Sequence, residues 1–244
     1  MGTWNIYPSG SGNADISANG EITFYRNEGS DRTFTITYED GEGNIATQTV
    51  DQSHCDGVDN NIVDLGLPSG TKWAKLNIGG ASDTSTSNFY RYGDTEPFQV
   101  TSGTGEYTPE TPDLICSRDV LCTGWGSSWH LPTKNQIIEL LDAVILGNIT
   151  YTWETNFNGS GMNGGKFSGN GRYIFIPAQG FYEMHDETIP KYAVQEGYST
   201  HAYLLSSTIC DDDDFSWALR CTESGANITQ LDTKNGLNVR GVQG

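Results

Sequence analysis

Trp129-His-Leu-Pro-Thr-Lys-Asn-Gln-Ile-Ile-Glu-Leu-Leu141 is the stretch in which one local rule after another agrees. Thr133 and Gln136 stand at the spacing of a capping box. The hydroxyl accepts from the Gln136 backbone N–H and the amide reaches back to the cap. Pro132 precedes the cap, where it removes no helical hydrogen bond. Ile137, Leu140, Leu141 and Val144 fall on one apolar helix face, widened by Ile138 and Ile145. Gly147 is placed to end the helix in a left-handed conformation. The spacing predicts a helix that opens sharply at Thr133 and buries one face.

Around that helix the chain reads as short strands. It holds 30 glycines in 244 residues and few long periodic apolar runs, which points to strands and turns. Hydrophobic residues make up 35%, yet 6 Trp, 12 Tyr and 9 Phe supply core volume from few positions. The length suits one large domain and a small one. Lys and Arg number 13 against 31 Asp and Glu, a formal net charge of −18. A field of that sign repels phosphate backbones and anionic lipid, so neither nucleic acid nor a membrane surface is expected as a partner. The longest mostly apolar stretch, around Ile137–Leu146, is far too short to cross a bilayer, and no direct membrane insertion is expected.

The chain divides near residues 51–61. Ile22-Thr-Phe-Tyr25 and Thr33-Phe-Thr-Ile-Thr-Tyr38 alternate as half-buried strands do, with Asn27–Ser30 as the turn between them. Ile45–Val50 is a third candidate strand. Ser53–Asn61 is polar, rich in turn formers, and reads as a linker. The expected organisation is therefore a β module over 1–52, a linker over 53–61 and a larger domain over 62–244.

Within the larger domain a series of segments recurs in a recognisable order. Asp64-Leu-Gly-Leu-Pro-Ser-Gly-Thr-Lys-Trp-Ala74 leads into Asn77-Ile-Gly79. Phe89–Pro97, Trp125–Thr133, Ile174–Tyr182, Tyr203–Thr208 and Leu237-Asn-Val-Arg240 follow. This series, over roughly residues 62–242, resembles the Fibrobacter succinogenes major paralogous domain of Bacteroidetes surface proteins. His130 stands where Arg is usual, and Gly241 follows the last Arg where Cys or Pro is common. The resemblance implies an α+β, C-type-lectin-like domain, a fold shared with formylglycine-generating enzymes and with the variable proteins of diversity-generating retroelements. Residues 1–52 are similar to the later strands of a Bacteroidetes Ig-like (BACON-like) sandwich, ending in Val50-Asp-Gln52. A full sandwich needs about 100 residues, so this is a fragment or a reduced form. Met1-Gly-Thr-Trp4 carries no basic and apolar leader, which leaves a cytoplasmic protein or an exported one whose signal lies outside this sequence. The family's habit favours export to the cell surface.

Five cysteines, Cys55, Cys116, Cys122, Cys210 and Cys221, leave at least one thiol free or paired outside the chain. Cys116 and Cys122 are close enough in sequence to close a small loop, and Cys210 with Cys221 could link neighbouring strands. No C-x-x-C occurs, and none of His54, His130, His185 and His201 has finger-like spacing to a cysteine pair, so no structural metal is expected.

Signs of catalysis are absent from the sequence. It has no nucleophile elbow, phosphate-binding glycine loop, HExxH or dinucleotide fingerprint. Gly159–Gly165 has neither an apolar strand before it nor a helix after it, and reads as a hairpin loop. The copper-binding cysteine pair of formylglycine-generating enzymes has no match in Cys210 and Cys221. Calcium lectins on the implied fold use Glu-Pro-Asn or Gln-Pro-Asp, of which Thr111-Pro-Asp113 is only an echo. Calcium takes roughly six to eight oxygen ligands. Asp211–Asp214 as an extended run would point them to both sides, and a solvated turn is the simpler reading.

The segment from Ile209 to Asn235 is the best candidate for function. In retroelement-diversified relatives the last part of the domain carries the varied positions, and loops on a packed core can change side chains without losing the fold. The candidate ligand-binding residues are Asp211, Asp212, Asp213, Asp214, Phe215, Trp217, Arg220, Thr222, Asn227 and Thr229. Every second strand residue should face outward. An inward Arg would need a buried partner, which favours Arg220 outward and Trp217 inward. The expected function is a non-enzymatic cell-surface ligand-binding or adhesin module with no cofactor and a protein or glycan partner. The alternatives are an exported enzyme, a calcium-dependent lectin on the same fold, or a structural pilus or surface-layer subunit.

Overall fold

The computed structural model describes residues 2–9, 14–24, 32–52, 62–99, 112–185 and 192–244. The chain divides into two compact units, 1–60 and 61–244. The expected linker 53–61, with His54 and Cys55, lies outside the described residues, as do Tyr25, the turn Asn27–Ser30 and Thr111.

The first unit contains β1 (Thr3–Tyr7), β2 (Ala14–Ile16), β3 (Ile22–Phe24), β4 (Arg32–Glu39) and β5 (Ile45–Gln52). β4 is the central strand of an antiparallel sheet ordered β1-β4-β5, while β2 and β3 form a separate antiparallel pair. The alternation in Thr33–Tyr38 has its expected result. Phe34 and Ile36 are buried with Ile6 and Ala14, and Trp4, Ile16, Ile22 and Val50 pack around them. The other strands expose much of their length, and Ile45 is 65% exposed.

The second unit is mostly β-sheet with two α-helices among the described residues. Its strands are β6 (Ile62–Val63), β7 (Lys72–Ala74), β8 (Phe89–Tyr90), β9 (Thr150–Glu154), β10 (Gly164–Gly169), β11 (Arg172–Pro177), β12 (Phe181–His185), β13 (Tyr192–Glu196), β14 (Ala202–Ile209), β15 (Phe215–Thr222), β16 (Gly225–Asp232), β17 (Leu237–Asn238) and β18 (Val242–Gln243). The helices are α1 (Val120–Trp125) and α2 (Lys134–Ile145). All the sheets are small and antiparallel. β6, β7 and β18 join the two ends of the unit, with Trp73 opposite Val242. β17 pairs with β8, β12 with β13, and β10 lies between β9 and β11. β15 is central between β14 and the edge strand β16. The glycine-rich 159–165 stretch carries the turn from β9 into β10, so it has no phosphate-loop geometry.

The helix that the sequence marks most clearly forms as read. Thr133 Oγ1 accepts from Gln136 N at 3.2 Å, and Gln136 Oε1 accepts from Thr133 N at 2.9 Å. Gly147 ends the helix at φ +77°, where an L side chain would be strained. Ile137, Leu140 and Ala143 are buried, with Leu141 and Val144 against the same core. Ile145, expected to widen that face, is instead 81% exposed. It lies in the last turn, beyond the sheet that the helix covers.

Asp119 sets the approach to this helix. It caps α1 by accepting from Leu121 N and Cys122 N, while its second oxygen accepts from Leu131 N at 2.7 Å. Gly241 has a steric reason: a Cβ there would lie 2.7 Å from the Trp129 ring and 3.0 Å from Trp125. A larger residue would push apart the Trp125–Trp129 edge-to-face pair.

The main core joins α2 to one face of the β14-β15-β16 sheet through Ile137, Leu140, Leu204, Leu219 and Cys221, and runs on to Trp73, Phe167 and Ile174. Beside it lies a buried polar network. Ser87 Oγ donates to Gln179 Oε1 at 2.7 Å and accepts from Asn77 and Asn238. This network ties the long connection after β7 to the C-terminal strands. The connection would otherwise bury unpaired backbone and amide groups.

Cys116 and Cys122 form a disulfide with Cα atoms 5.2 Å apart. Cys210 and Cys221 do not pair, and both are buried free thiols. The strand register explains the correction. Cys221 is opposite Ala202 at the start of β14, whereas Cys210 follows its end. Eight residues of strand separate the two sites by roughly 26 Å.

Candidate functional site

The ten candidate residues do not share one face. They fall in three places. Asp211, Asp212, Asp213 and Asp214 form an exposed turn between β14 and β15. The turn is closed by Cys210 N donating to Phe215 O at 2.8 Å and Phe215 N donating to Asp212 O at 3.0 Å. Asp212 Oδ1 accepts from Asp214 N, so part of the carboxylate set is spent within the turn. Among the described residues no three His, Cys, Asp or Glu side chains converge as a metal site would require.

Phe215 and Trp217 share a parity with Leu219 and Cys221 and face the helix side. Only the latter two reach the core. Trp217 is half-buried past its end, with Lys134 Nζ 3.8 Å from the ring centre. Phe215, one step further, is 37% exposed. The aromatic pair therefore flanks the acidic turn and belongs to the helix side of the sheet.

Arg220, Thr222, Asn227 and Thr229 lie together on the reverse face. Arg220 is opposite Asn227, and Ala218 is opposite Thr229. Towards β14 this face is covered: Tyr203, Leu205, Ser216 and Ala218 are buried. Towards the edge strand it opens. Asn227 is exposed, and Arg220, Thr222 and Thr229 are half-buried. A packed core holds one side of this sheet while its edge presents polar side chains on the other.

At the Thr222 end lies an open hollow of ≈ 470 Å³ lined by Thr200, His201, Arg220, Thr222, Glu223 and Ser224. Arg220 Nη2 is 2.8 Å from His201 Nε2. A guanidinium only donates, so Nε2 must accept, and the imidazole proton sits on Nδ1. That nitrogen is 2.8 Å from Thr200 Oγ1 and donates to it. Burial, then the adjacent Arg220 charge, holds His201 below its ordinary pKa and therefore neutral near pH 7. Thr222 Oγ1 is 2.9 Å from Ser224 Oγ and donates to Gly225 O.

Sequence reasoning identified Arg220 and Thr222 but missed Thr200, His201, Glu223 and Ser224. Their only signal is the register that sets Ala202 opposite Cys221. That register places the residue before β14 beside Arg220, and cross-strand neighbours so far apart in sequence have no local signature. Glu223 and Ser224 are simply the two-residue turn between β15 and β16.

Cys210 and Cys221 are poor nucleophiles. Burial pushes the Cys210 thiol up to about 11 and Cys221 further still, and the thiolate is the reactive form. His130 is engaged with its neighbour's backbone, Nδ1 lying 2.8 Å from Leu131 O. No helix among the described residues is long and apolar enough to cross a membrane.

Comparison of the chain with protein-family models, with curated proteins and with solved structures returns no match.

Proposed function

We propose that residues 62–244 are a non-enzymatic ligand-binding module of C-type-lectin-like type, exported and displayed at the cell surface, preceded by a small Ig-like module. The fold assignment rests on the ordered motifs that resemble the Fibrobacter succinogenes major paralogous domain. Pairing of the unit's first and last strands, which leaves the intervening chain as elaborated loops, suits it. The ligand is a glycan or protein of the surroundings. Arg220, Thr222, Asn227 and Thr229 form the recognition face, with the acidic turn and Phe215 as a separate, secondary surface.

One observation carries this reading. Towards the edge strand the reverse face of β15 and β16 presents exposed or half-exposed polar residues, while Leu219 and Cys221, alternating with them on β15, are locked into the core. Side chains on such a face can change with little effect on folding, which is what a recognition surface open to retroelement-type diversification requires. The test is a pooled substitution scan over residues 209–235. Each variant is scored for folding on a display platform and for retention of the partners that the parent chain selects from glycan and extracellular-protein arrays. Positions 220, 222, 227 and 229 should tolerate substitution for folding but lose binding. Binding that survives every substitution on this face, or folding lost at nearly every position, would overturn the proposal.

A further inference from the structure

Arg220 is unusual in its surroundings. In a chain with 31 acidic and 13 basic residues, a half-buried arginine is expected to find a carboxylate. Among the described residues no carboxylate oxygen lies within the 4.0 Å of an ion pair. Its close partners are instead the neutral His201 and the Tyr203 hydroxyl. Its Nε is buried and donates to nothing. A buried donor without an acceptor is destabilising; Nε itself lies out of a ligand's reach, but the exposed part of the guanidinium carries no counter-charge. The cation faces an open hollow whose other walls carry the hydroxyls of Thr200, Thr222 and Ser224.

We propose that this hollow binds the carboxylate of an acidic sugar: Arg220 takes the carboxylate, and Thr200, Thr222 and Ser224 bond to ring hydroxyls. The proposal rests on the recognition face described above and gives it a ligand class. Guanidinium and carboxylate are matched planar partners that bond bidentately. The imidazole supports the geometry. By accepting from Nη2 it fixes the guanidinium plane without neutralising it, as a carboxylate in the same position would. A volume of ≈ 470 Å³ lies within the range of small-ligand sites, and its open mouth suits a solvated ligand. The charge balance selects among anions. The hollow offers one guanidinium, with Glu223 at the rim and a net charge of −18, so it has at most one positive charge to give a ligand. A phosphate dianion or a polyanion would meet repulsion that one arginine does not offset.

The experiment presents the intact chain to an array of glycans ending in uronic or nonulosonic acids, each printed beside its carboxyl-reduced counterpart. Titrations of the best hit follow, monitored by the ¹⁵N resonances of the arginine side chains. The expected result is selective retention of acidic members and a shift of the Arg220 Nε signal on binding. Arg220→Gln should lose at least tenfold in affinity while keeping the parent melting temperature to within a few degrees, and Arg220→Lys should fall between them. Thr222→Val should weaken binding to a lesser degree. Equal retention of acidic and reduced glycans, retention of none, or full binding by Arg220→Gln sinks the acidic-sugar proposal. In those cases loss of some other partner on changing Asn227 or Thr229 would leave the broader recognition face standing. Indifference of every partner to all four face residues would remove both. If Arg220→Gln fails to fold, the ¹⁵N shifts of the parent chain with acidic against reduced sugar decide the matter alone.

Discussion

Arg240 Nε donates to Asn77 Oδ1 at 2.7 Å, across 163 residues of sequence. Arg240 is completely buried, and its Nη2 donates to Phe175 O at 2.7 Å. Burial pulls its pKa down to about 10, so the guanidinium stays charged at neutral pH inside the protein. Its Nη1 is buried without an acceptor, so the charge depends on these two bonds, because a buried charge is costly unless it is hydrogen-bonded. This one contact therefore locks the segment after β7 to the C-terminal strands. Asn77→Ala should cost about 1.5–3 kcal/mol, the usual worth of a hydrogen bond to a charged group. Denaturant melts check it, and a loss below about 1 kcal/mol would mean that the side chain is dispensable.

Helix α2 gives a graded set. Leu140→Ala, at a completely buried position, should cost about 2–5 kcal/mol. Thr133→Ala removes the cap and should cost about 0.5–2 kcal/mol. Ile145→Ala, at a position 81% exposed, should change stability by less than about 0.5 kcal/mol. Chemical denaturation of the three variants should reproduce that order. Equal losses at 140 and 145 would show the helix to be rotated from its described face.

The disulfide Cys116–Cys122 closes a short loop next to α1. Replacing both cysteines with serine should lower stability by about 2 kcal/mol on the chain-entropy account, at the low end because the loop is short. Thiol labelling of the native chain should leave Cys210 and Cys221 slow to react, since both are buried with raised pKa. Rapid modification of either thiol would contradict their burial.

His201 makes stability depend on pH in a definite direction. Its folded pKa is lowered, first by burial and then by Arg220, so the unfolded chain binds the proton more readily. Stability then rises with pH. The contribution is complete above the unfolded value of about 6.5 and is lost as pH falls from there towards the lower folded value. His201→Gln, whose amide oxygen can accept the same bond from Arg220, should lose less on acidification. Melting temperatures of the two proteins between pH 8 and pH 5 measure the difference. Parallel profiles would remove His201 from the explanation.

Chelation should have no effect. The acidic turn is exposed and partly hydrogen-bonded to itself. EDTA and added calcium should both leave the melting temperature unchanged. A rise of several degrees with calcium would restore a lectin-type reading, with Asp211–Asp214 as the first residues to mutate.

How much of this was legible in the chain depended on the range of the interactions involved. The capping box at Thr133, the glycine stop at Gly147 and the buried parity of Phe34 and Ile36 follow from rules within a few residues, and the sequence alone determined them. The four aspartates at 211–214 likewise read as a turn because extended backbone cannot converge their oxygens. Parity on β15 was half-legible: an inward arginine is costly, so Arg220 was expected opposite the core. That argument could not tell how far along the strand the core extends, and so placed Trp217 inside when it sits half-buried at the edge.

Tertiary structure decided the rest, because each remaining feature depends on strand register, and register is set by the packing of whole faces. It separated Cys210 from Cys221 and divided the ten candidate residues among three places. It also set His201 beside Arg220, a pairing between strands that nothing within either segment encodes. The local rules determined which elements form. The register between them determined which side chains meet, and so where the proposed recognition face lies.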